Sequence, residues 1–258
     1  MPRHLLLIHG AWQGSWAFDA WRALLQAAGW QAQAVDLPGN GVHAEGQADL
    51  AGYTRHVLQH LERLDAPAVV LGHSGGGITA SQVAEAAPER VAALVYLAGM
   101  MLPSGCSYGA LVAQCRADEQ DFVYQGIDAH LQWDAARQSS RVPSDAALQL
   151  FLHDCDPIAA AQAAARLTAQ PETGRAMVNQ LSAQRFGRVP RVYVECLHDR
   201  SVTLPLQRRM QALSPGAHRI SLACGHVPQL ACPAMLNEAL LPVLQATLGH
   251  HRHAGQAA

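Results

Sequence analysis

The chain has 258 residues, half of them hydrophobic and 15% charged, which excludes a disordered or fibrous protein and is ample for a sizeable core. Lys and Arg number 18 against 20 Asp and Glu, a near-balance that argues against a nucleic-acid footprint or an electrostatic membrane anchor.

Leu5–Ile8 is an apolar run that ends in a loop signal, His9-Gly10. Phe18, Trp21, Leu24, Leu25 and Ala28 follow at three-and-four spacing and predict an amphipathic helix closed by Gly29. Gln31–Val35 reads as a second strand, stopped by Asp36-Leu37-Pro38-Gly39-Asn40-Gly41. Leu50–Leu64 reads as a helix, Ala68–Leu71 as a buried strand, Ile78–Ala87 as a small-residue helix stopped by Pro88, and Val91–Ala98 as another buried strand. Strands separated by helices predict an α/β architecture, a mostly parallel sheet with helices on both faces. From about Met100 to Phe186 the rhythm breaks: prolines punctuate a segment that reads as mostly helical, for example Pro157–Leu167. Strand and helix then resume with Arg191–Cys196, Leu204–Leu213, His218–Ala223 and Pro233–Leu248. The expectation is a single domain, with a core over about 1–102 and 186–249 and a helical cap insert over about 103–185. Residues 250–258 are read as a flexible tail.

The most informative stretch is Leu71-Gly72-His73-Ser74-Gly75-Gly76-Gly77, a G-x-S-x-G between a buried strand and a helix, the context this motif requires. The turn lifts the Ser74 hydroxyl above the sheet, and side chains at Gly72 or Gly76 would collide with neighbouring elements. A serine needs a base, itself oriented by a carboxylate, and on such a turn the partners follow in the order Ser, Asp or Glu, His. No Asp or Glu lies between Glu89 and Asp118, so the loop after Val91–Ala98 supplies no acid. Asp199 falls in the loop past the strand Arg191–Cys196, whereas Glu195 lies within that strand and reads as a network carboxylate. His226 follows the strand His218–Ala223 directly, while His218 sits at the wrong end of it and His250, His251 and His253 lie in the tail. An acyl-transfer oxyanion needs two donors. The Gly75 amide is one, and the loop Ile8-His9-Gly10-Ala11-Trp12 assigns the other to the amide of Ala11.

These residues resemble a family. His9-Gly10-Ala11-Trp12-Gln13-Gly14-Ser15-Trp16 is similar to the H-G-A-x-x-G-x-W opening of the plant methylesterase and hydroxynitrile lyase branch of the α/β-hydrolases. Val35–Gly41, the segment Arg185-Phe186-Gly187 to Val194 before Asp199, and Gly225-His226 with Pro228 and Cys232-Pro233 resemble further motifs of that branch, which bacterial carboxylesterases share. The resemblance runs from Leu5 to Pro233 and is loose across the cap. It implies a cofactor-free serine carboxylesterase acting on small to medium uncharged esters of methyl or aryl type. The alternatives are lactone or carbon–carbon cleavage or natural-product tailoring by the same triad, and a nearly inert ligand-binding receptor. Hydroxynitrile lyases of this branch carry Thr and Lys where this chain has Gly10 and Val227, which argues against cyanohydrin cleavage. The dehalogenases and epoxide hydrolases of the wider fold attack with Asp, and position 74 is Ser.

Fourteen histidines show no metal-ligand spacing, and Gly75-Gly76-Gly77 lacks the Lys-Ser/Thr of a phosphate loop, so neither a metal nor a nucleotide is expected. Trp12, Trp16, Tyr108, Phe122, Tyr124, Trp133, Phe151 and Leu152 are candidates for an apolar pocket, with Trp12 and Trp133 chosen from them. Asp156 before Pro157 fits a helix N-cap. No apolar run approaches the roughly 20 residues of a membrane span, and Leu5–Ile8 is too short for a signal-peptide core of about 7–15. Six cysteines without CxxC or scaffold spacing fit reduced thiols in a cytoplasm. A monomer or homodimer is expected, with a small-molecule ester as its partner and no nucleic acid or membrane.

Overall fold

The computed structural model describes residues 3–40, 45–118, 124 and 126–254. Its first part alternates β1 (Arg3–Ile8), α1 (Asp19–Ala27), β2 (Trp30–Val35), α2 (Leu50–Glu62), β3 (Ala68–His73), α3 (Gly76–Ala86) and β4 (Val91–Leu97). The cap holds α4 (Tyr108–Asp118), β5 (Gln132–Trp133), β6 (Ser139–Arg141), α5 (Ser144–Leu150), α6 (Pro157–Ala165) and β7 (Gln170–Pro171). The core then closes with β8 (Arg191–Cys196), α7 (Leu204–Leu213), β9 (Ala217–Leu222), α8 (Pro228–Ala231) and α9 (Pro233–Ala254).

The six core strands form one sheet in the order β2-β1-β3-β4-β8-β9, and every pairing is parallel. Strand side chains alternate in direction, so a sheet covered on both faces needs apolar residues at every position. Leu5 and Leu7 of β1, Val69 and Leu71 of β3, and Val192 and Val194 of β8 accordingly pack on one face, against Trp21 and Leu25 of α1 and Leu236, Leu240 and Leu244 of α9. Leu6, Val70, Leu94 and Tyr193 fill the other face, against Tyr53 and Val57 of α2, Ile78 and Val83 of α3, and Leu206 and Met210 of α7. The chain steps from β1 to β2 on one side and returns to β3 on the other. The loops leaving β1 and β3 therefore diverge, and the crevice between them is where open α/β sheets bind ligands.

A third apolar cluster ties the cap down. Ala146, Ala147, Phe151, Leu152, Ala160 and Ala163 of the cap enclose Trp12 from the loop after β1 and Val227 from the loop after β9. Asp156 caps α6 as its sequence requires, its Oδ1 accepting from the amides of Ile158 (3.0 Å) and Ala159 (3.1 Å). Two features go beyond the expectations. The cap is not only helical, because β5, β6 and β7 make a small antiparallel sheet. These strands span only two or three residues each and carry no alternation to read. The last helix also continues past Leu248 to Ala254. Gly249 costs a helix only about 1 kcal/mol and no proline follows it. Residues 255–258 of the expected tail, together with Gly41 and Phe122, lie outside the described residues.

Glu195 is the network carboxylate that its place inside a strand predicts. It is fully buried and accepts from Ser221 Oγ (2.8 Å), Gln211 Nε2 (3.1 Å) and Arg208 Nη2 (3.2 Å). Burial alone would raise its pKa, but the hydrogen bonds from Arg208, Ser221 and Gln211 outweigh it and hold the carboxyl below its ordinary value. A carboxylate depressed in the folded state stabilises fully above its unfolded pKa, and the contribution disappears as pH falls through the lowered folded value. Glu195→Gln is therefore expected to cost about 1–3 kcal/mol at pH 7. Thermal melts of both proteins from pH 7 to pH 3 should show that gap close on the acid side.

Candidate active site

Ser74 sits between the end of β3 and the start of α3 with a φ of +51°, a left-handed conformation that costs a side-chain-bearing residue about 1–2 kcal/mol. Its backbone is held there by three hydrogen bonds. Its amide donates to Leu97 O (3.2 Å), and its carbonyl accepts from the amides of Gly77 (3.0 Å) and Met100 (2.8 Å). The flanking glycines are obligatory: a Cβ on Gly72 would lie 2.5 Å from Gly76 O, and one on Gly76 would lie 2.6 Å from His9 O. Both collisions are with backbone.

Asp199 and His226 meet where the loops after β8 and β9 converge. The Asp199 carboxylate is fully engaged: Oδ1 accepts from the amides of Ser201 (2.7 Å) and Val202 (3.0 Å), and Oδ2 accepts from Gln207 Nε2 (3.3 Å) and His226 Nδ1 (2.8 Å). Both side chains of the pair are buried, at 0% and 3% exposure. An ionised carboxylate only accepts, so the bond places a proton on Nδ1 and leaves His226 Nε2 as the basic nitrogen. A second histidine braces the first. His73 Nε2 donates to the His226 carbonyl (2.8 Å), its Nδ1 meets the Gln13 side-chain amide at 3.0 Å, and the two imidazoles lie 4.8 Å apart. Burial, reinforced by the His226 ring, lowers the basicity of His73 well below the ordinary value, so the brace is neutral.

The loop after β1 is set by His9. Its Nδ1 donates to Gly10 O (2.7 Å) and its Nε2 accepts from the Leu37 amide (3.1 Å). Across a trans peptide the Gly10 carbonyl and the Ala11 N–H point in opposite directions. Fixing the carbonyl on His9 therefore turns the Ala11 amide the other way. That nitrogen lies 3.9 Å from the position a Cβ would take on Gly75. Ser74, His226, Ala11, Gly75 and Trp12 line one cavity of about 240 Å³, with Asp199 behind His226. An alpha/beta hydrolase family model matches residues 5–239.

The chain belongs to the alpha/beta hydrolase family. It is 28% identical to a pyrethroid hydrolase of Sphingobium wenxiniae over 98% of this chain and 91% of that one. It is 27% identical to methylesterase 7 of Arabidopsis thaliana over 93% and 96% of the two chains. A crystal structure of a pyrethroid hydrolase variant superposes with a TM-score of 0.83 at 25% identity, over 96% of this chain and 99% of the other. These relatives are those of the branch that the motifs resemble.

The hydrolase site also holds residues the sequence does not announce. Gln207, fully buried on α7, ties Asp199 Oδ2 to the carbonyls of Cys196 (3.1 Å) and Val202 (2.7 Å). Arg175 lines the cavity, pairs with Glu172 (2.9 Å) and Asp128 (3.0 Å), and stands 5.1 Å from the Trp12 ring. Trp12, at φ +61°, is anchored by Gln170 Oε1 (3.2 Å) and Ser140 Oγ (3.2 Å) of the cap. Of the other aromatic candidates, Tyr108, Tyr124 and Phe151 line the cavity. Trp133 does not: it stands one layer back, its ring 5.7 Å from the Arg175 guanidinium, because β5 holds it in the cap sheet. Trp16 pairs with Arg166 and, like Leu152, belongs to the cap's apolar cluster. Among the described residues no helix is long and apolar enough to cross a membrane.

Gly10 gives a direct test of the loop. A methyl group there would sit 2.9 Å from Ser74 Cβ and 3.2 Å from His73 Nδ1. Gly10→Ala must push the Ala11 amide away from Ser74, and for an oxyanion donor, the role the sequence assigns to that amide, such a loss costs about 10²–10³ in kcat. The expected outcome is a drop of that size in steady-state kcat with the melting temperature nearly unchanged.

Proposed function

We propose that the protein is a serine carboxylesterase acting on small to medium uncharged esters. The observation that carries the reading is the buried Asp199–His226 pair. Its proton is fixed on Nδ1, and it opens onto the same cavity as a strained Ser74 and the amides of Ala11 and Gly75. His226 Nε2 takes the Ser74 proton as Oγ attacks the ester carbonyl, and the imidazolium that forms is stabilised by Asp199. The oxyanion is held by the Ala11 and Gly75 amides. Collapse expels the alcohol, which takes its proton from His226 and leaves an acyl-Ser74. Water, deprotonated by His226, then attacks the acyl carbon; collapse returns the proton to Ser74 and frees the acid. Contacts between nucleophile and base are often long without substrate and tighten in the complex.

The relatives' names support this reading, since one is a hydrolase of pyrethroids and another a methylesterase. The cavity's aromatic lining of Trp12, Tyr53, Tyr108, Tyr124 and Phe151 suits an aryl or methyl ester. Cyanohydrin cleavage is disfavoured at both diagnostic positions. Val227 is fully buried in the cap cluster, where a lysine would have no water, and Gly10 has no room for a hydroxyl-bearing side chain. Six free cysteines fit a reducing cytoplasm.

The test is a panel of p-nitrophenyl and methyl esters of increasing acyl length, run beside Ser74→Ala. Repeated turnover that vanishes in the variant is the expected result, and it separates an esterase from a ligand-binding receptor. A wild-type protein that neither turns over nor reacts at Ser74 with a fluorophosphonate overturns the proposal.

A further inference from the structure

The loop that carries His226 is short, running from the end of β9 at Leu222 to the start of α8 at Pro228. Its register along the sheet is fixed by His198, whose amide donates to Cys224 O (3.0 Å). The next residue, Gly225, is held from outside the core. Its amide donates to Asp154 Oδ2, a carboxylate of the cap turn between α5 and α6. That turn is itself rigid, with Leu152 N bonded to Ala147 O (3.0 Å) and Cys155 N to Leu152 O (3.1 Å) ahead of the Asp156 cap.

The fit over Gly225 leaves no space. A Cβ there would lie 2.5 Å from Asp154 Oδ1, 2.9 Å from Asp154 Cγ and 2.7 Å from His153 Cε1. The same turn carries Phe151, whose ring lies 5.3 Å from the His226 imidazole and 6.1 Å from Trp12. Its preceding helix end accepts from the residue after Asp199, with Arg200 Nη1 donating to Gln149 O (3.2 Å). The end of α5 and the cap turn therefore reach three of the loops that build the site, those after β1, β8 and β9, and among the described residues the hydrogen bond of Asp154 goes to the backbone next to the base.

We propose that Asp154 is a positioning residue for His226, acting through the Gly225 amide, so that the cap turn is part of the hydrolytic machinery rather than a removable cover. This rests on the esterase reading of Ser74 and His226. A charge-assisted bond to a backbone amide is about twice as strong as a neutral one. Releasing it frees the loop, and misplacing a reacting group by about 1 Å can cost a hundred-fold in rate. Asparagine keeps an acceptor oxygen in the same place; alanine removes it.

The experiment follows the rate at which a fluorophosphonate labels Ser74 in the full chain, for wild type, Asp154→Asn, Asp154→Ala and Gly225→Ala, with Ser74→Ala as the blank. The expected result is a maximal labelling rate at least ten-fold lower in Asp154→Ala, at an unchanged half-saturating probe concentration, and a rate within about three-fold of wild type in Asp154→Asn. Gly225→Ala, which pushes the carboxylate off the loop, should slow labelling as Asp154→Ala does and serves in its place if that variant fails to fold. Wild-type labelling in Asp154→Ala, or an Asp154→Asn protein as slow as Asp154→Ala, overturns the proposal. A wild-type protein that does not label at all overturns the esterase reading instead, so the two failures are distinct.

Discussion

Ser74→Ala and His226→Ala are each expected to lower kcat about a million-fold, and the double variant no further. The two side chains act on one proton: without the imidazole the hydroxyl keeps it, and without the hydroxyl the imidazole has nothing to take. Removing the second partner therefore costs almost nothing after the first. What survives is the work of the Ala11 and Gly75 amides and of substrate binding, about 10³–10⁴ over water in enzymes of this kind. Steady-state hydrolysis of the best ester of the panel measures it. Losses that multiplied in the double variant would show that the residues act independently, and full activity in Ser74→Ala would place the nucleophile elsewhere.

The parts of this molecule that were legible in the sequence are those where local geometry leaves one residue type possible. A strand covered on both faces must be apolar almost throughout, and Leu5–Ile8 of β1, Ala68–Leu71 of β3 and Val91–Leu97 of β4 read as unbroken apolar runs for that reason. Gly72 and Gly76 can be nothing else, since a Cβ would strike backbone, and they frame Ser74. Asp199, which the fold bonds to His226, was reachable by elimination, because between Ser74 and His226 no other carboxylate lies in a loop leaving a strand of the main sheet. The cap sheet was not legible. Ser140 and Gln170 are buried by what they bond, Trp12 in both cases, and that partner lies more than a hundred residues away. Gln207 reads as an ordinary polar residue of an amphipathic helix, and only the folded chain shows that it is sealed against Asp199. Trp133 has the composition of a pocket residue but not the position, since the register of β5 decides which way it stands. Asp154 shares a short acidic stretch with Asp156. The cap made by Asp156 is visible from the proline that follows it, whereas the bond of Asp154 to Gly225 crosses from cap to core.

The distribution of bonds on Asp199 makes Asp199→Asn the most discriminating substitution at the site. Oδ1 is held by two backbone amides, Ser201 N at 2.7 Å and Val202 N at 3.0 Å, which donate and cannot accept. An asparagine there must turn its carbonyl oxygen towards them, because an NH₂ group would face two donors. Its NH₂ then takes the place of Oδ2, between Gln207 Nε2 and His226 Nδ1. A donor beside Nδ1 forces that nitrogen to accept, which moves the imidazole proton to Nε2, the atom that must receive the proton of Ser74. The geometry survives while the tautomer is reversed. The expected result is a loss of about 10⁴ in kcat with KM and the melting temperature little changed. Asp199→Ala differs in kind: it leaves the buried Ser201 and Val202 amides without an acceptor, so it should lose stability as well as rate. Measuring kcat and thermal unfolding for both variants separates the two effects. An asparagine variant within ten-fold of wild type would mean that Asp199 does not set the proton on His226.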